Sequence, residues 1–330
     1  MGKRLAILAL SGLIAAACGG ATSETAAETV DEVTPTTAAE APATTEAETT
    51  TTAAETTTTV AETTTTAPPI PTMTIAFDGL EPLGDGGDYE LWFVGADGEP
   101  ASAAIFDTDG GPVEFELTDG IPGAVELKVS IETDDDPAPS SSIVLSGAMD
   151  GAAGDRSVEL VTDIGDFSTA SGRYILATPT DGTGTAENER SGVWWTVIPR
   201  ERSLFLPELG EGWEYEMWQV IDGQVLTGGK FTDTFASDQA APFSGPDPAP
   251  PLVGEDYLLN APEGLTFPVD LRGMETFISV EPIPDPSSES SGIVPLAGII
   301  PTDAIDHTAY AVENVSAERF PTATVTISEG

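Results

Sequence analysis

The stretch that decides the fold occurs twice in this chain. Its fuller form reads Leu-Pro-Glu-Leu-Gly-Glu-Gly-Trp-Glu-Tyr-Glu-Met-Trp over residues 206–218, and an earlier form reads Leu-Glu-Pro-Leu-Gly-Asp-Gly-Gly-Asp-Tyr-Glu-Leu-Trp over residues 80–92. The two stretches are 126 residues apart without a gap, and both keep Tyr-Glu-apolar-Trp. Gly- and Pro-rich turns leading into such short apolar runs are typical of β-strand proteins. We therefore predict two copies of one β-rich unit.

The similarity continues beyond these stretches. Val-Ser-Ile-Glu at residues 129–132 parallels Ile-Ser-Val-Glu at residues 278–281, now with an offset of 149 residues. The larger offset indicates an insertion in the second copy, which we place between Ala236 and Pro262. We predict a first domain at residues 72–185 and a second domain at residues 190–330.

The apolar pattern predicts the fold class. Apolar residues alternate with polar ones in two clear runs, which are Val113/Phe115/Leu117 and Val125/Leu127/Val129/Ile131. Such alternation is typical of strands with one buried face, and no 12-residue helical pattern occurs. We expect an all-β protein with two tandem antiparallel β-sandwich (Ig-like) domains. Each copy is long enough for its own core, so we expect residues 190–330 to fold alone.

The N-terminus resembles a bacterial lipoprotein signal peptide. Lys3 and Arg4 precede an apolar run at residues 5–17, which is too short for a permanent membrane span. The sole cysteine, Cys18, follows directly. The resemblance implies that residues 1–18 form the signal region and that a lipid on Cys18 anchors the protein outside the cytoplasm, at the cell surface. An ordinary cleaved signal with an incidental cysteine is the alternative.

Residues 19–71 are rich in Thr, Ala and Glu and contain no Lys or Arg. They lack a periodic apolar face, and without a core nothing offsets the entropy of ordering. We predict a disordered linker, and its Thr runs are hypothetical sites for O-linked sugars.

The charge balance excludes one class of partner. The chain has 56 acidic and 11 basic residues and a net charge of -45, whereas nucleic acids bind clustered Lys and Arg. One cysteine and one histidine are too few for a Cys/His zinc site. We expect no nucleic-acid partner, no cofactor and a monomer.

The second copy resembles the extracytoplasmic C-terminal domain of anti-sigma-K factors, and the first copy does so more weakly. The resemblance covers residues 200–300 best and residues 74–147 moderately. It is carried by Leu206, Pro207, Leu209, Gly212, Tyr215, Trp218, Asp222, Gly223, Gly229, Phe231, Val280, Glu281 and Pro282. In that family the domain lies outside the membrane, where it senses or transmits a signal, and a cytoplasmic sigma-binding domain and a transmembrane helix precede it. Neither is recognisable here, so we expect no direct binding of a sigma factor in the cytoplasm.

Catalytic residues are not expected. His307 is the sole histidine, and because its counterpart in the first copy is Arg156 we expect it at the surface, at the start of a strand. Glu132 and Glu281 hold equivalent positions at strand ends, but nothing in their spacing selects an acid pair. The protein is therefore predicted not to be an enzyme.

Three acidic loops are weak candidates for calcium, and solvated turns are the alternative. They are residues 84–88, 107–109 and 134–136.

The tryptophans have two interpretations. Trp92 and Trp218 are predicted to be buried in the core between sheets, and a binding platform is the alternative. Trp194 and Trp195 are adjacent, so their side chains should face opposite sides of a strand. One of them should point outward or into the joint between the domains.

Three functions stay open at this point. The first is a non-catalytic, lipid-anchored extracytoplasmic binding or sensory module. Its expected role is in envelope signalling, with an unidentified extracytoplasmic protein or wall ligand as its partner. The second is a structural or adhesive cell-surface protein on a stalk. The third is an extracellular hydrolase with an acidic site.

Overall fold

A computed structural model describes residues 69–108, 111–118, 123–133, 137–150, 154–182, 188–198 and 201–329. The predicted signal peptide, Cys18 and nearly all of the predicted linker lie outside these residues. All described residues belong to one unit that begins at Thr65. Below, residues 72–185 are the first segment and residues 190–330 the second segment.

The described residues are almost entirely β-structure. The first segment forms β1 (Thr72–Asp78), β2 (Asp88–Gly95), β3 (Pro100–Phe106), β4 (Val113–Glu116), β5 (Ala124–Glu132), β6 (Ile143–Ala148), β7 (Arg156–Thr162) and β8 (Ser171–Leu176), with a 3-10 turn at Gly84–Gly86. A 3-10 turn at Glu189–Ser191 leads into the second segment. That segment forms β9 (Gly192–Trp194), β10 (Thr196–Val197), β11 (Glu201–Arg202), β12 (Leu204–Phe205), β13 (Trp213–Ile221), β14 (Gln224–Phe231), β15 (Gly254–Asp256), β16 (Glu275–Pro282), β17 (Leu296–Ile299), β18 (Tyr310–Ala311), β19 (Glu313–Asn314), the helical turn α1 (Ser316–Arg319) and β20 (Thr322–Ser328). The predicted all-β class is confirmed. Among the described residues, no helix has the length and hydropathy required to cross a membrane.

Local sequence signals explain these elements. Asp222 and Gly223 both have positive φ (49° and 84°), which is the conformation of a tight hairpin turn, here between β13 and β14. In β5, Leu127 and Val129 are buried as predicted. Val125 is instead 44% exposed, because the pairing with β2 shifts register next to it.

The largest sheet has eight strands in the order β3-β2-β5-β6-β7-β20-β1-β4, with antiparallel pairing throughout. The sheet curls so that its two end strands approach each other. The ring of Phe106 on β3 lies 5.8 Å from the ring of Phe115 on β4, at the other end of the strand order. The second segment also contributes to two five-stranded sheets and contains the two-stranded sheet β10-β11. One has the order β14-β13-β16-β17-β19, and the other has the order β12-β8-β9-β15, with β18 also paired to β8.

The two segments exchange their last strands. β20, from the end of the second segment, lies between β7 and β1 in the sheet of the first segment. β8, from the end of the first segment, pairs with β12 and β18 of the second segment. In sequence order, β12 and β18 of the second segment correspond to β1 and β7 of the first. β8 therefore lies between β12 and β18 as β20 lies between β1 and β7, and each segment supplies the strand that fills this slot in the other.

The register of the exchanged strands is also equivalent. On β1, Asp78 opposes Thr322, and on β12, Leu204 opposes Gly172. Leu204 follows Asp78 by 126 residues, which is the offset of the repeated stretch, and Thr322 follows Gly172 by 150 residues. The pairings with β7 and β18 give the same relation. Thr324 of β20 opposes Glu159 on β7, and Tyr174 of β8 opposes Tyr310 on β18. Thr324 again follows Tyr174 by 150 residues.

This exchange corrects the expectation of two separate sandwiches. The boundary predicted between residues 185 and 190 does not separate the sheets, and the expectation that the copies share no strand is wrong. The hydrophobic core is likewise continuous, since it contains buried residues from both segments. At the junction, the ring of Phe167 lies 6.4 Å from Tyr215 and 4.9 Å from Phe320.

Candidate binding cleft between the two segments

A buried hydrogen-bonded relay follows the repeated tryptophan in the first segment. Trp92 Nε1 donates to Ser130 Oγ over 2.7 Å, and the Ser130 hydroxyl donates to the carboxylate of Glu132. The same carboxylate accepts the backbone N–H of Ser140 at 2.9 Å. The relay therefore joins a strand to the Ser-rich loop that follows β5.

The second segment repeats this relay. Trp218 Nε1 donates to Ser279 Oγ over 2.7 Å, and the Ser279 hydroxyl donates to Glu281. Glu281 accepts the N–H of Ser291 at 3.0 Å, and the Ser291 hydroxyl in turn donates to Val280 O at 2.7 Å. The paired tryptophans thus have equivalent hydrogen-bond partners in both segments.

Strand geometry explains why these residues meet. Alternate residues of a strand share a face, so Ser279 and Glu281 lie side by side. Trp218 points away from its neighbour Met217, which belongs to the main core, and a register shift against β14 falls between the two. Trp92 has the same shift against β3. Both rings are buried as predicted, 1% and 2% exposed, but on the face opposite the main core rather than within it.

A second repeated contact fixes the loop before the strand. Tyr89 Oη donates to Glu81 O at 2.6 Å, and Tyr215 Oη donates to Pro207 O at 2.7 Å. Burial raises the pKa of both phenols well above the ordinary value, so both stay protonated donors. The Leu- and Pro-containing motif is therefore held in one position in each segment.

These loops form a cleft where the segments meet. The cleft has a volume of about 100 Å³. Its walls come from the loop before β2 in the first segment and from the Pro/Ser-rich loop after β16 in the second. They include Leu80, Glu81, Leu83, Tyr89, Ile131 and Val144 on one side, and Glu281, Asp285, Pro286, Glu289, Ser291 and Ile293 on the other. The walls are close at one point, because a Cβ on Gly86 would lie 2.1 Å from Pro286 O.

The second-segment side of the cleft is strongly acidic. Burial raises the pKa of Glu281 to about 7, and the negative charges of Asp285 and Glu216 act in the same direction. Asp285 is itself paired, with its Oδ2 atom 2.6 Å from Lys230 Nζ. Lys230 also lies 3.2 Å from a carboxylate oxygen of Glu214. The cleft therefore combines an apolar floor with carboxylates that are tied into a fixed network.

The sequence-predicted catalytic candidates are not brought together. His307 is exposed, as expected, but it lies in a turn with φ of 54° before β18 rather than at the start of a strand. Its Nε2 atom is 3.6 Å from Glu189 Oε2. Glu132 and Glu281 each lie at the end of a strand, as expected, and each accepts hydrogen bonds from serines of its own segment. These carboxylates hold loops in place.

The calcium candidates gain no support among the described residues. No group of three or more His, Cys, Asp or Glu side chains there is placed to hold a metal ion. Asp107 accepts backbone N–H groups from Leu83 and Gly84, both at 3.0 Å. Asp109 and residues 134–136 lie outside the described residues.

Trp194 and Trp195 face opposite sides as predicted, and both are buried at the joint. Trp195 packs on Tyr174 of β8 in the main core, with ring centroids 5.9 Å apart. Trp194 lies in a separate small cluster and donates from Nε1 to Asp256 Oδ1 at 2.6 Å. The insertion predicted in the second segment supplies Asp256 and so covers this tryptophan.

Sequence reasoning missed the buried acids of this insertion. Glu255 and Asp256 are fully buried, and Asp238 lies nearby with its carboxylate accepting Gly254 N–H at 2.9 Å. Burial raises the pKa of Glu255 to about 7 and of Asp238 and Asp256 to about 6. Sequence reasoning also missed the ion pairs of Lys230 with Glu214 and Asp285. A signal was present, because alignment of the two copies places Lys230 opposite Ile105 of the first segment.

One of the comparisons with known proteins gave a match, and it covers part of the chain. The family model described as "Anti-sigma-K factor rskA, C-terminal" matches residues 5–144. The match confirms the resemblance for the first copy, whose motifs match the family more weakly than those of the second copy. The search of the curated proteins and that of the solved structures gave no match.

Proposed function

From the match of residues 5–144 to the anti-sigma-K factor C-terminal domain, we propose that this protein is a non-catalytic, lipid-anchored module outside the cytoplasm that binds a partner in envelope signalling. The family match is the observation that carries the proposal, because anti-sigma factors are regulatory proteins. The matched region begins in the apolar run before Cys18, continues through the Thr-rich stretch and ends in β6.

The geometry supports a binding role over chemistry. Ser130, Glu132, Ser279 and Glu281 bear the groups that a hydrolase would use, yet in both segments they bind a tryptophan and a loop. The same relay holds the Pro/Ser-rich loop that walls the cleft. Hydrogen bonds hold the loops of the cleft in both segments, which suits recognition because less ordering is then required on binding.

The anchoring part of the proposal is tested with Cys18→Ser in the producing bacterium. We expect the unchanged chain to incorporate a labelled fatty acid and to fractionate with membranes. The Cys18→Ser chain should lose both the label and the membrane association. Retention of the label in the variant would overturn lipidation at Cys18.

The binding part is tested by capture of envelope proteins on residues 72–330. A single stoichiometric protein partner supports the proposal, and binding only to wall polymer would overturn it in favour of an adhesive role. Hydrolysis of a glycan or peptide panel that Glu281→Gln abolishes would overturn the non-catalytic assignment.

A further inference from the structure

The strands β3 and β14 are equivalent sheet edges, but only β14 is covered. Gln239 N donates to Lys230 O at 2.7 Å, so the insertion runs along the outer side of β14. A Cβ on Gly229 would lie 2.8 Å from Ala240 O, which shows how closely the two backbones approach. The second segment therefore closes this edge with its own chain.

The edge strand β3 has no such backbone cover among the described residues. The ring of its last residue, Phe106, packs on Phe115 of β4, but no strand pairing joins β3 to β4 there. β3 is the last strand of the eight-stranded sheet, and its residues make no backbone hydrogen bond within the described part of the chain except to β2. Backbone N–H and C=O groups on an uncovered edge are ready to pair with another strand.

The composition of β3 also differs from that of a protected sheet edge. The strand reads Pro-Ala-Ser-Ala-Ala-Ile-Phe over residues 100–106 and carries no charged side chain, although the protein has a net charge of -45. Ile105 is 59% exposed, whereas the equivalent Lys230 is held in ion pairs. Natural sheet edges are commonly protected by charged residues, and β3 lacks that protection.

A shallow hollow lies at the start of the strand. It has a volume of about 410 Å³, with apolar walls that include Phe93, Ala101 and Ala124. Asp97 and Glu99 line the same hollow and are exposed. An aliphatic stem that ends in a cation matches this combination of walls and charges. At the other end of the strand, Asp107 is also exposed.

We propose that β3 is a docking strand for an extended segment of a partner protein, uncharged over about seven residues and bearing Lys or Arg at its ends. Backbone pairing supplies the binding, and the acidic ends of β3 select basic flanks. A second copy of this chain fits less well, since antiparallel self-pairing would bring the Asp97 and Glu99 end of one strand against the Asp107 end of the other. This inference rests on the proposed binding function and adds the place and the partner chemistry.

The test uses the full chain and a fluorescein-labelled peptide of sequence Lys-Thr-Val-Thr-Val-Thr-Val-Thr-Lys, which has seven uncharged residues between its lysines. Binding is followed by fluorescence anisotropy, and amide hydrogen exchange reports where the peptide docks. We expect saturable binding, slower exchange in β3, and at least tenfold weaker binding of the matched peptide with Glu at both ends. Ser102→Lys places a charge at an exposed position of β3 and should weaken binding at least tenfold. Val225→Lys, at an exposed position on the covered strand β14, is the control and should leave binding unchanged.

Several outcomes would overturn the proposal. They are no binding at millimolar peptide, equal loss in both variants, or binding without slower exchange in β3. Slower exchange in β3 that grows with protein concentration in the absence of peptide would instead assign the edge to a second copy. The lipidation experiment does not depend on this strand. In the capture experiment, one stoichiometric partner that the Ser102→Lys chain still binds would overturn the docking strand and leave the proposed function standing.

Discussion

Thr72 and Ser328 stand opposite each other in register across β1 and β20, although they are 256 positions apart in the sequence. The strand that follows the predicted linker is therefore paired with the last strand of the chain. Because β20 also pairs with β7, the end of the second segment lies inside the sheet of the first. Separation of the segments requires that β20 leave this sheet and that β8 leave the other.

The first prediction follows from this exchange. A protease site introduced within residues 183–187 should be cleavable without release of either segment, because the exchanged strands hold the two pieces together. The cleaved protein should elute as one species in size-exclusion chromatography and separate only in denaturant. The same site placed within residues 49–66 is the control and should free the N-terminal piece. Separate elution of the two segments in native buffer would contradict the exchange.

The second prediction reverses an expectation from the sequence. Residues 190–330 alone would lack β8, which pairs with β12, β18 and β9. They would also present the apolar side chains of β20, since Val325 and Ile327 are fully buried against the first segment's sheet. We expect this fragment to lack cooperative thermal unfolding. A sharp transition like that of the full chain would show that each segment can refill its own slot.

The third prediction concerns the buried tryptophan of the relay. Trp218→Ala should lower the free energy of unfolding by about 3–5 kcal/mol, because it leaves a cavity and removes the donor to Ser279. Phe235→Ala is the matched aromatic control, since Phe235 is 57% exposed, and should cost less than about 1 kcal/mol. Urea denaturation measures both. A loss below about 1 kcal/mol for Trp218→Ala would be inconsistent with a buried ring.

Much of the β-structure was predictable because its signals are local. Alternation marks β4 and most of β5, and Asp222-Gly223 marks the β13–β14 turn. The repeated Tyr-Glu-apolar-Trp stretch also indicated equivalent surroundings for Trp92 and Trp218, which the two relays bear out.

The strand exchange was not predictable from these signals. β8 and β20 are equivalent strands, so their local patterns fit either slot equally well. Which slot each one fills depends on the path of the connecting chain, and alternation does not report that path. Burial of Glu255 and Asp256 was not predictable for another reason. Asp and Glu are almost never fully buried, so their presence in a sequence predicts surface positions.

The fourth prediction compares two buried tyrosines. Tyr257 is fully buried, and its hydroxyl has no hydrogen-bond partner among the described residues. Tyr257→Phe should therefore raise the free energy of unfolding by about 1 kcal/mol, because an unsatisfied polar group is removed. Tyr215→Phe removes the hydrogen bond to Pro207 O and should lower it by about 1 kcal/mol. Equal destabilisation in both variants would show that Tyr257 has a partner after all.

The fifth prediction is a pH dependence that arises in the insertion. Burial raises the pKa of Glu255 to about 7 and that of Asp256 to about 6, and no Lys or Arg is among the charged groups acting on them. The charged groups that do act are acidic: Asp238 acts on Glu255, and Asp181 acts on Asp256. Their hydrogen-bond donors are uncharged. Glu255 accepts from the Ser244 hydroxyl and from the backbone N–H groups of Phe243 and Asp256. Asp256 accepts from the hydroxyl and backbone N–H of Thr180 and from the Trp194 ring N–H.

The sign follows from proton linkage. A carboxyl whose folded pKa lies above its unfolded value of about 4 binds more protons when folded, so its contribution to stability is complete below about pH 4 and is lost as pH rises through 7. The melting temperature should fall between pH 4.5 and 7. In Glu255→Gln, which resembles the protonated acid, this fall should be shallower, whereas Glu263→Gln, a change of an exposed glutamate, should leave it unchanged. Differential scanning calorimetry at half-unit pH steps measures all three chains. A melting temperature of Glu255→Gln that falls as steeply as that of the unchanged protein would place the titration of Glu255 below this range.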